Sequence, residues 1–127
     1  MKRPEQDIHR SVVAHLKERA MPGVFFFHPA NGGKRSAIEA KIFKGLGVRA
    51  GVPDLILFYR AQIFGLELKA GNGRVSPAQL ATMNDMEVAG ARVAVACSLD
   101  EALITLEYWG VLRRDRNHYG SKGETHV

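Results

Sequence analysis

Three charged residues stand at the ends of two consecutive apolar segments of the 127-residue sequence. Asp54 begins segment 54–59, and Glu67 and Lys69 lie two residues apart in segment 62–69. Because the strands of a hairpin lie side by side, we expect the two carboxylates and the ammonium group to meet at one edge of a sheet. Charged groups at the mouth of a buried sheet are costly unless they are paired or bound to a metal ion. The spacing therefore predicts either a structural ion pair or a metal site.

The metal interpretation of these residues implies a definite chemistry. Two carboxylates with a backbone carbonyl are ligands that suit Mg²⁺ or Mn²⁺. A lysine two residues from a ligand could orient or deprotonate an attacking water and neutralise charge that develops on a phosphate. Under the structural interpretation, Glu67 only pairs with Lys69, and Asp54 only ends a turn. An isolated Glu-x-Lys is common, whereas a Glu-x-Lys thirteen positions after a Pro-Asp is far more specific.

Alternating apolar and turn-forming segments predict the elements that must position these residues. We expect helices over 4–19, 36–44, 76–89 and 98–109, and strands over 24–28, 54–59, 62–69 and 92–97. The first strand is predicted to be buried and the second to be covered on both faces. One mixed sheet flanked by helices, an α/β fold, satisfies this order, with strand 92–97 parallel to strand 62–69 through a right-handed crossover.

Two further polar residues lie where predicted helices begin. Glu5 continues the apolar stripe of the first helix back by one turn from Ile8, so it either complements the helix dipole at the rim or serves a site. Gln79 follows Ser76 at the spacing of a capping box, with Pro77 at the first helical position. Capping alone would account for Gln79, so its contribution to a site stays open at this point.

The segment that follows the first predicted strand combines glycine with positive charge. It contains Asn31, Gly32, Gly33, Lys34 and Arg35. Main-chain N–H groups and a basic pair in such a loop can bind phosphate. A plain surface connection is the alternative.

Composition and charge indicate one globular domain with an uneven surface. Hydrophobic residues make up 46% and charged residues 24%, which excludes wholesale disorder. The net charge of +5 divides into +6 over residues 1–53, −3 over 54–112 and +2 over 113–127. This division favours a polyanion-binding surface beside a carboxylate site, although unevenly solvated charge is the alternative. We predict a domain over 1–112 and a basic, flexible tail over 113–127.

Cysteine, histidine and glycine patterns exclude other classes of site. The single Cys97 excludes an intramolecular disulfide and a thiolate metal cluster, and it favours a reducing, cytoplasmic setting. The polar start does not resemble a signal peptide, and no apolar run approaches the length of a membrane span. Segment 71–73 lacks the third glycine of a dinucleotide fingerprint, so no nucleotide cofactor is predicted. None of the five histidines is predicted to be a metal ligand, although His28 beside the basic loop could contact a phosphate.

These motifs together resemble a known family. Pro53-Asp54 and Glu67-Leu68-Lys69 resemble the PD-(D/E)XK nuclease signature, and the order of elements resembles the αβββαβ core of that superfamily. Gly51-Val52-Pro53-Asp54, Ser76-Pro77-Ala78-Gln79 and Glu5-Gln6 narrow the resemblance to the VRR-NUC family, in particular to its small stand-alone members from phages and bacteria. The resemblance covers roughly residues 4–106. It implies a restriction-endonuclease-like core.

The resemblance also implies residue roles and an activity. It implies hydrolysis of DNA phosphodiester bonds with Mg²⁺ or Mn²⁺, with a preference for Holliday junctions or other branched DNA. The metal would be held by Asp54, Glu67, the Leu68 carbonyl and Glu5. The resemblance also implies that the protein acts in the cytoplasm of a bacterial or phage-infected cell. Lys69 would act as general base or water-positioning cation, and the catalytic set would be Glu5, Asp54, Glu67, Lys69 and Gln79. The basic loop 31–35 would contact DNA.

Junction cleavage needs two matched cuts, so we predict a homodimer. Segment 36–47 is the candidate interface because Ile38, Ile42, Phe43 and Leu46 lie on a piece that the minimal fold does not need. The alternative is that these side chains cover the sheet. Two other functions stay open: a catalytically idle DNA-binding or docking module, and a partner subunit of a larger restriction or recombination complex.

Overall fold

The computed structural model describes residues 3–30 and 36–114, which form four helices and four strands. In chain order the elements are α1 (Arg3–Arg19), β1 (Phe25–Phe27), α2 (Ala37–Gly45), β2 (Leu55–Tyr59), β3 (Gln62–Leu68), α3 (Pro77–Val88), β4 (Arg92–Ala96) and α4 (Leu99–Tyr108). Each predicted element is present. Within the described residues, no helix combines the length and the apolar character needed to cross a membrane.

The strands form one mixed sheet in the order β1-β2-β3-β4. The β1–β2 and β2–β3 pairs are antiparallel, and β4 runs parallel to β3. Arg60 and Ala61 join β2 to β3 with φ angles of 51° and 65°, the backbone of a tight hairpin turn that matches strand twist. The return from β3 to β4 passes through α3, because parallel strands need a crossover. The predicted α/β fold and the predicted parallel pair are confirmed.

Helices α1 and α4 cover one face of the sheet and form the main core with it. Strands β2 and β3 contribute alternate side chains to this face, as strand geometry requires. The core cluster includes Val12, Leu16, Leu55, Leu57, Phe64, Leu66, Leu68, Leu103 and Leu106. The opposite face carries Ile56, Gly65 and Glu67, so the catalytic candidate Glu67 points away from the main core. Helix α3 approaches this second face.

The first strand differs from its prediction. Phe26 packs against the core, but Phe25 is 61% exposed and Phe27 is also exposed. The prediction of a buried strand is therefore wrong for two of three residues. The physical reason is position: β1 is an edge strand, and its alternate side chains point to the face that α1 and α4 do not cover. Phe58, directly opposite Phe25, is exposed for the same reason, so β2 is covered on both faces only over its first residues.

Helix α2 stands out because it buries none of its residues. Ser36 and Glu39 form a capping box that begins the helix. Ile38 is 74% exposed, and Ile42 and Leu46 are exposed as well. These three side chains therefore do not cover the sheet, which removes that alternative for the segment. Only Phe43 turns inward, into a cavity of about 650 Å³ shared with α3.

Candidate active site

Asp54 and Glu67 face each other at the open end of the β2–β3 hairpin. Leu55 pairs with Leu66, and one further step along this antiparallel register places Asp54 opposite Glu67. The Leu68 backbone N–H donates to Asp54 Oδ2 at 2.8 Å, which fixes the carboxylate across the end of the ladder. The hairpin therefore brings the two predicted carboxylates together.

The Glu67 carboxylate is buried and lies between two polar side chains. The residue is 3% exposed. Its Oε2 atom lies 3.2 Å from Lys69 Nζ and accepts a hydrogen bond of 2.8 Å from Gln79 Nε2. The Lys69 side chain is itself largely buried. Lys69 and Gln79 therefore fix one oxygen of Glu67 from two sides.

Burial and local charge together make the ionised form of Glu67 unfavourable. Burial in the sheet is the largest cause, and the negative charge of Asp54 adds to it. Contact with Lys69 acts in the opposite direction but does not compensate. Burial and the charge of Asp54 thus raise the pKa of Glu67 from its ordinary value of 4.5 to about 7. When both carboxylates are ionised, they outnumber the ammonium group of Lys69, which contacts Glu67.

Gln79 both caps α3 and contacts Glu67. Its backbone N–H donates to Ser76 Oγ at 3.1 Å, and its side-chain Oε1 accepts from the Ser76 N–H at 2.8 Å. This capping box directs the side-chain oxygen toward Ser76, so the amide nitrogen points to Glu67. The helix cap thus orients the hydrogen bond that Glu67 receives.

The turn before Asp54 is held tightly against α3. Gly51 has φ +81°, and a Cβ atom at this position would lie 2.4 Å from the Ala78 carbonyl oxygen. Only glycine fits both the backbone angle and the close approach. Thr82 adds a hydrogen bond of 2.6 Å from its hydroxyl to the Ala50 carbonyl. These contacts set the position of Asp54 relative to Gln79.

The remaining candidates lie around this centre or outside the described residues. Glu5 is half-buried in the first turn of α1, one turn before His9, whose ring lies beside Asp54. The Leu68 side chain is buried in the core, so only its main chain is available to the site. The predicted phosphate-binding residues Asn31, Gly32, Gly33, Lys34 and Arg35, and residues 115–127 of the predicted tail, lie outside the described part of the chain.

Two histidines that sequence reasoning rejected as ligands lie beside Asp54. One ligand atom each from His9, His28 and Asp54 lie within 4.8 Å of one another. The imidazole rings of His9 and His28 meet edge to face, with centroids 4.5 Å apart. Burial lowers the pKa of His9, and the charge of His28 lowers it further, while Asp54 opposes the shift. The missed signal was the pairing of β1 with β2, which places the residue after β1 beside the start of β2.

The fold and the site define a class of protein: a mixed sheet whose central hairpin carries Asp54 and a Glu-x-Lys has a PD-(D/E)XK-like, nuclease-type fold. A family model for the VRR-NUC domain matches residues 5–99. The chain therefore belongs to the VRR-NUC family, whose members are in general divalent-metal-dependent nucleases.

Solved structures agree with this assignment. One, described as a VRR-NUC domain protein, is 26% identical with a TM-score of 0.70, and the match covers 86% of this chain and 89% of that chain. A second, described as a VRR-NUC domain, is 19% identical with a TM-score of 0.58 and supports the fold alone. That match covers 84% of this chain and 97% of the other. No curated protein matches the chain.

Proposed function

We propose that this protein is a Mg²⁺- or Mn²⁺-dependent endonuclease that hydrolyses phosphodiester bonds in branched DNA. One observation carries the proposal: the buried Glu67 carboxylate faces Asp54 across a hairpin and is held by Lys69 and Gln79. A pair of carboxylates with one ammonium group is an unfavourable arrangement for a core, but it suits a divalent cation and a phosphate.

The donor set fits a hard divalent ion. Asp54 and Glu67 supply carboxylate oxygens, the Leu68 carbonyl supplies a neutral oxygen, and Glu5 approaches from α1. Burial first, and the negative charge of Asp54 second, raise the pKa of Glu67 to about 7, and a bound ion would neutralise that negative charge. When bound, the ion would polarise the scissile phosphate and lower the pKa of a coordinated water.

The chain's own residues supply the remaining functions. Lys69 lies at Glu67 Oε2, where its ammonium group can position the attacking water or, as the free amine, accept its proton. In hydrolysis the water oxygen forms a bond to phosphorus while one P–O ester bond breaks, and the leaving oxygen takes up a proton. Gln79 holds the Glu67 carboxylate in place during these steps.

The described chain passes close to Asp54 shortly before the predicted phosphate-binding residues. The His28 Nδ1 atom lies 2.6 Å from the Asp54 carbonyl oxygen, so the chain passes the site three residues before Asn31. We therefore propose that Asn31, Gly32, Gly33, Lys34 and Arg35 bind the phosphates of DNA that occupies the site. Such contacts fix the position of DNA and do not read its sequence.

The exposed helix α2 supports a homodimer. Ile38, Ile42 and Leu46 present an apolar stripe at helical spacing on a helix that buries none of its own residues. A two-fold interface through this stripe would supply the two active sites that paired cuts require.

Substitution in this stripe tests the dimer: Ile38→Asp with Ile42→Asp should give a folded monomer in sedimentation velocity. Val88→Asp, at an equally exposed apolar residue of α3, is the matched control and should stay dimeric. A wild-type protein that sediments as a monomer, both alone and on junction DNA, contradicts the dimer.

A panel of DNA substrates tests the activity. Purified protein is incubated with labelled four-way junctions, flaps, single strands and linear duplexes, each with Mg²⁺, with Mn²⁺ and with EDTA. We expect metal-dependent cleavage that is fastest on branched DNA. Equal cleavage of linear duplex would reject the substrate preference. Binding of junctions without cleavage under any metal condition would reject the nuclease and favour an idle DNA-binding module.

A further inference from the structure

A second group of metal-ligating side chains lies beside Asp54 and does not include Glu67. His9 projects from α1, and His28 follows the edge strand β1, so three separate elements meet at this point. One ring nitrogen of each histidine and a carboxylate oxygen of Asp54 lie within 4.8 Å of one another. Donors around one metal ion with bonds of about 2.1 Å are ~3–4 Å apart, so small side-chain rotations would suffice.

Hydrogen bonding prepares His28 as a ligand. Its Nδ1 atom lies 2.6 Å from the Asp54 carbonyl oxygen. Because a carbonyl only accepts, Nδ1 must carry the proton, which leaves the lone pair on Nε2. Metal-binding histidines are commonly oriented in this way, with one ring nitrogen donating to a backbone carbonyl.

His9 presents a ring nitrogen that the protein leaves unused. Its Nδ1 atom is buried and has no hydrogen-bond partner among the described residues. A buried polar atom without a partner is costly, and a ligand that fills the position removes the cost. His9 also lines an open pocket of about 230 Å³ together with Gln6, Arg10 and His28, so solvent reaches the two histidine side chains.

We propose that His9, His28 and Asp54 form a binding site for a first-row transition-metal ion, distinct in ligand chemistry from the Asp54–Glu67 pair. Two imidazoles with one carboxylate prefer borderline ions such as Zn²⁺ and Co²⁺ over Mg²⁺. The two sites share only Asp54, so an ion in one lies next to an ion in the other. The inference stands on the ligand geometry and does not require that the protein cleave DNA.

The competing interpretation is structural. Under it, His9 and His28 only make an edge-to-face aromatic contact. This account explains the ring contact, but it leaves the buried His9 Nδ1 atom without a partner.

Cobalt binding tests the site. Wild-type protein is titrated with Co²⁺ in buffer that contains millimolar Mg²⁺ and no DNA, and the visible absorption of the bound Co²⁺ is recorded. We expect His9→Gln and His28→Gln each to weaken Co²⁺ binding by more than ~10-fold. Glu67→Gln should retain it, because Glu67 belongs to the other site. His15→Gln, the same change on the same helix, is the matched control and should bind Co²⁺ as the wild type does.

A second measurement avoids substitutions in case a variant fails to fold. Zn²⁺ added to wild-type protein should shift the imidazole NMR signals of His9 and His28 and leave those of His15 in place. Unchanged signals at His9 and His28, or wild-type Co²⁺ affinity in both variants, would overturn the proposal. Binding of Co²⁺ through these histidines in a protein that cleaves no DNA would support this site and reject the nuclease. Cleavage with Mg²⁺ by a protein whose His9 and His28 signals do not respond to Zn²⁺ would support the nuclease and reject the histidine site.

Discussion

Two buried ionic clusters lie toward opposite ends of α1 and differ in how their charge is balanced. At the C-terminal end, Arg19 pairs with Glu107 of α4 at 2.9 Å, with both side chains almost fully buried. Near the N-terminal end, Glu67 contacts Lys69 at 3.2 Å, but Asp54 adds a second carboxylate. The 17 residues of α1 span about 25 Å, so the clusters are separate.

The charge of the Arg19 cluster is balanced within the chain, although the Arg19 Nη2 atom has no hydrogen-bond partner among the described residues. One guanidinium meets one carboxylate, and Arg19 also donates to the Arg113 carbonyl and to His15 Nδ1. In the Asp54–Glu67 cluster, by contrast, two carboxylates stand against the one ammonium group of Lys69, and burial together with the charge of Asp54 raises the pKa of Glu67 to about 7. The first cluster ties α1 to α4, and under the proposed function a divalent cation from outside the chain would balance the second.

The largest effect we expect is on catalysis, from the one cation of the second cluster. Lys69→Ala should lower the cleavage rate by about 10²–10⁴-fold, the usual contribution of a group that positions or deprotonates a nucleophile. Mg²⁺ binding, measured by calorimetry, should be retained because both carboxylates remain. Lys17→Ala, an exposed lysine of α1, is the control and should cleave as the wild type does. If Lys69→Ala cleaves DNA at the wild-type rate, the Glu67–Lys69 ion pair is structural and not catalytic.

The next largest effect is on the free energy of unfolding and comes from the Arg19–Glu107 cluster. Glu107→Ala should destabilise the fold by about 3–5 kcal/mol, because it leaves the Arg19 guanidinium buried without its carboxylate. Urea unfolding measures the change. Arg19→Met combined with Glu107→Leu should recover most of the loss, since both charges are then removed. Cleavage per folded molecule should not change in either protein. A large loss of specific activity would contradict the division between the two clusters.

The smallest effect is a pH dependence that only the unbalanced cluster should show. Because folding raises the pKa of Glu67 from 4.5 to about 7, the folded state binds the proton more tightly than the unfolded state. The stabilisation is therefore complete below about pH 4.5 and is lost as pH rises through about 7.

Urea unfolding in EDTA across this range measures the loss, and Glu67→Gln should remove this contribution. Mg²⁺ competes with the same proton, so its affinity should rise with pH and level off above about pH 7. An equal pH dependence in wild type and Glu67→Gln would mean that another group titrates.

The hairpin site could be predicted because its determinants are local. A Pro-induced turn, two apolar segments and a two-residue connection set the register, and the register alone places Asp54 opposite Glu67. The cap of α3 was equally local, because Ser76, Pro77 and Gln79 are near neighbours in the sequence. The hydrogen bond from Gln79 to Glu67 is not local, because it depends on Gly51, which holds the Asp54 turn against α3.

Two features depended on packing between distant segments and could not be predicted. The run Phe25–Phe27 is apolar throughout, so its pattern does not reveal that it forms an edge strand with one uncovered face. His9 and His28 are nineteen positions apart and meet because α1 crosses the end of the β1–β2 pair. Histidine spacing along the chain carries no sign of that contact.

Substitution of Asp54 tests the central claim, that the unbalanced carboxylates are a metal-dependent nuclease centre. Asp54→Asn preserves shape and removes one ligand charge, and cleavage of a labelled four-way junction with Mg²⁺ is compared with that of wild type. Junction binding and the unfolding curve report whether the variant remains folded. The account predicts a folded protein that binds the junction and does not cleave it, while the wild type cleaves with Mg²⁺ and not with EDTA. Wild-type cleavage by Asp54→Asn would contradict it.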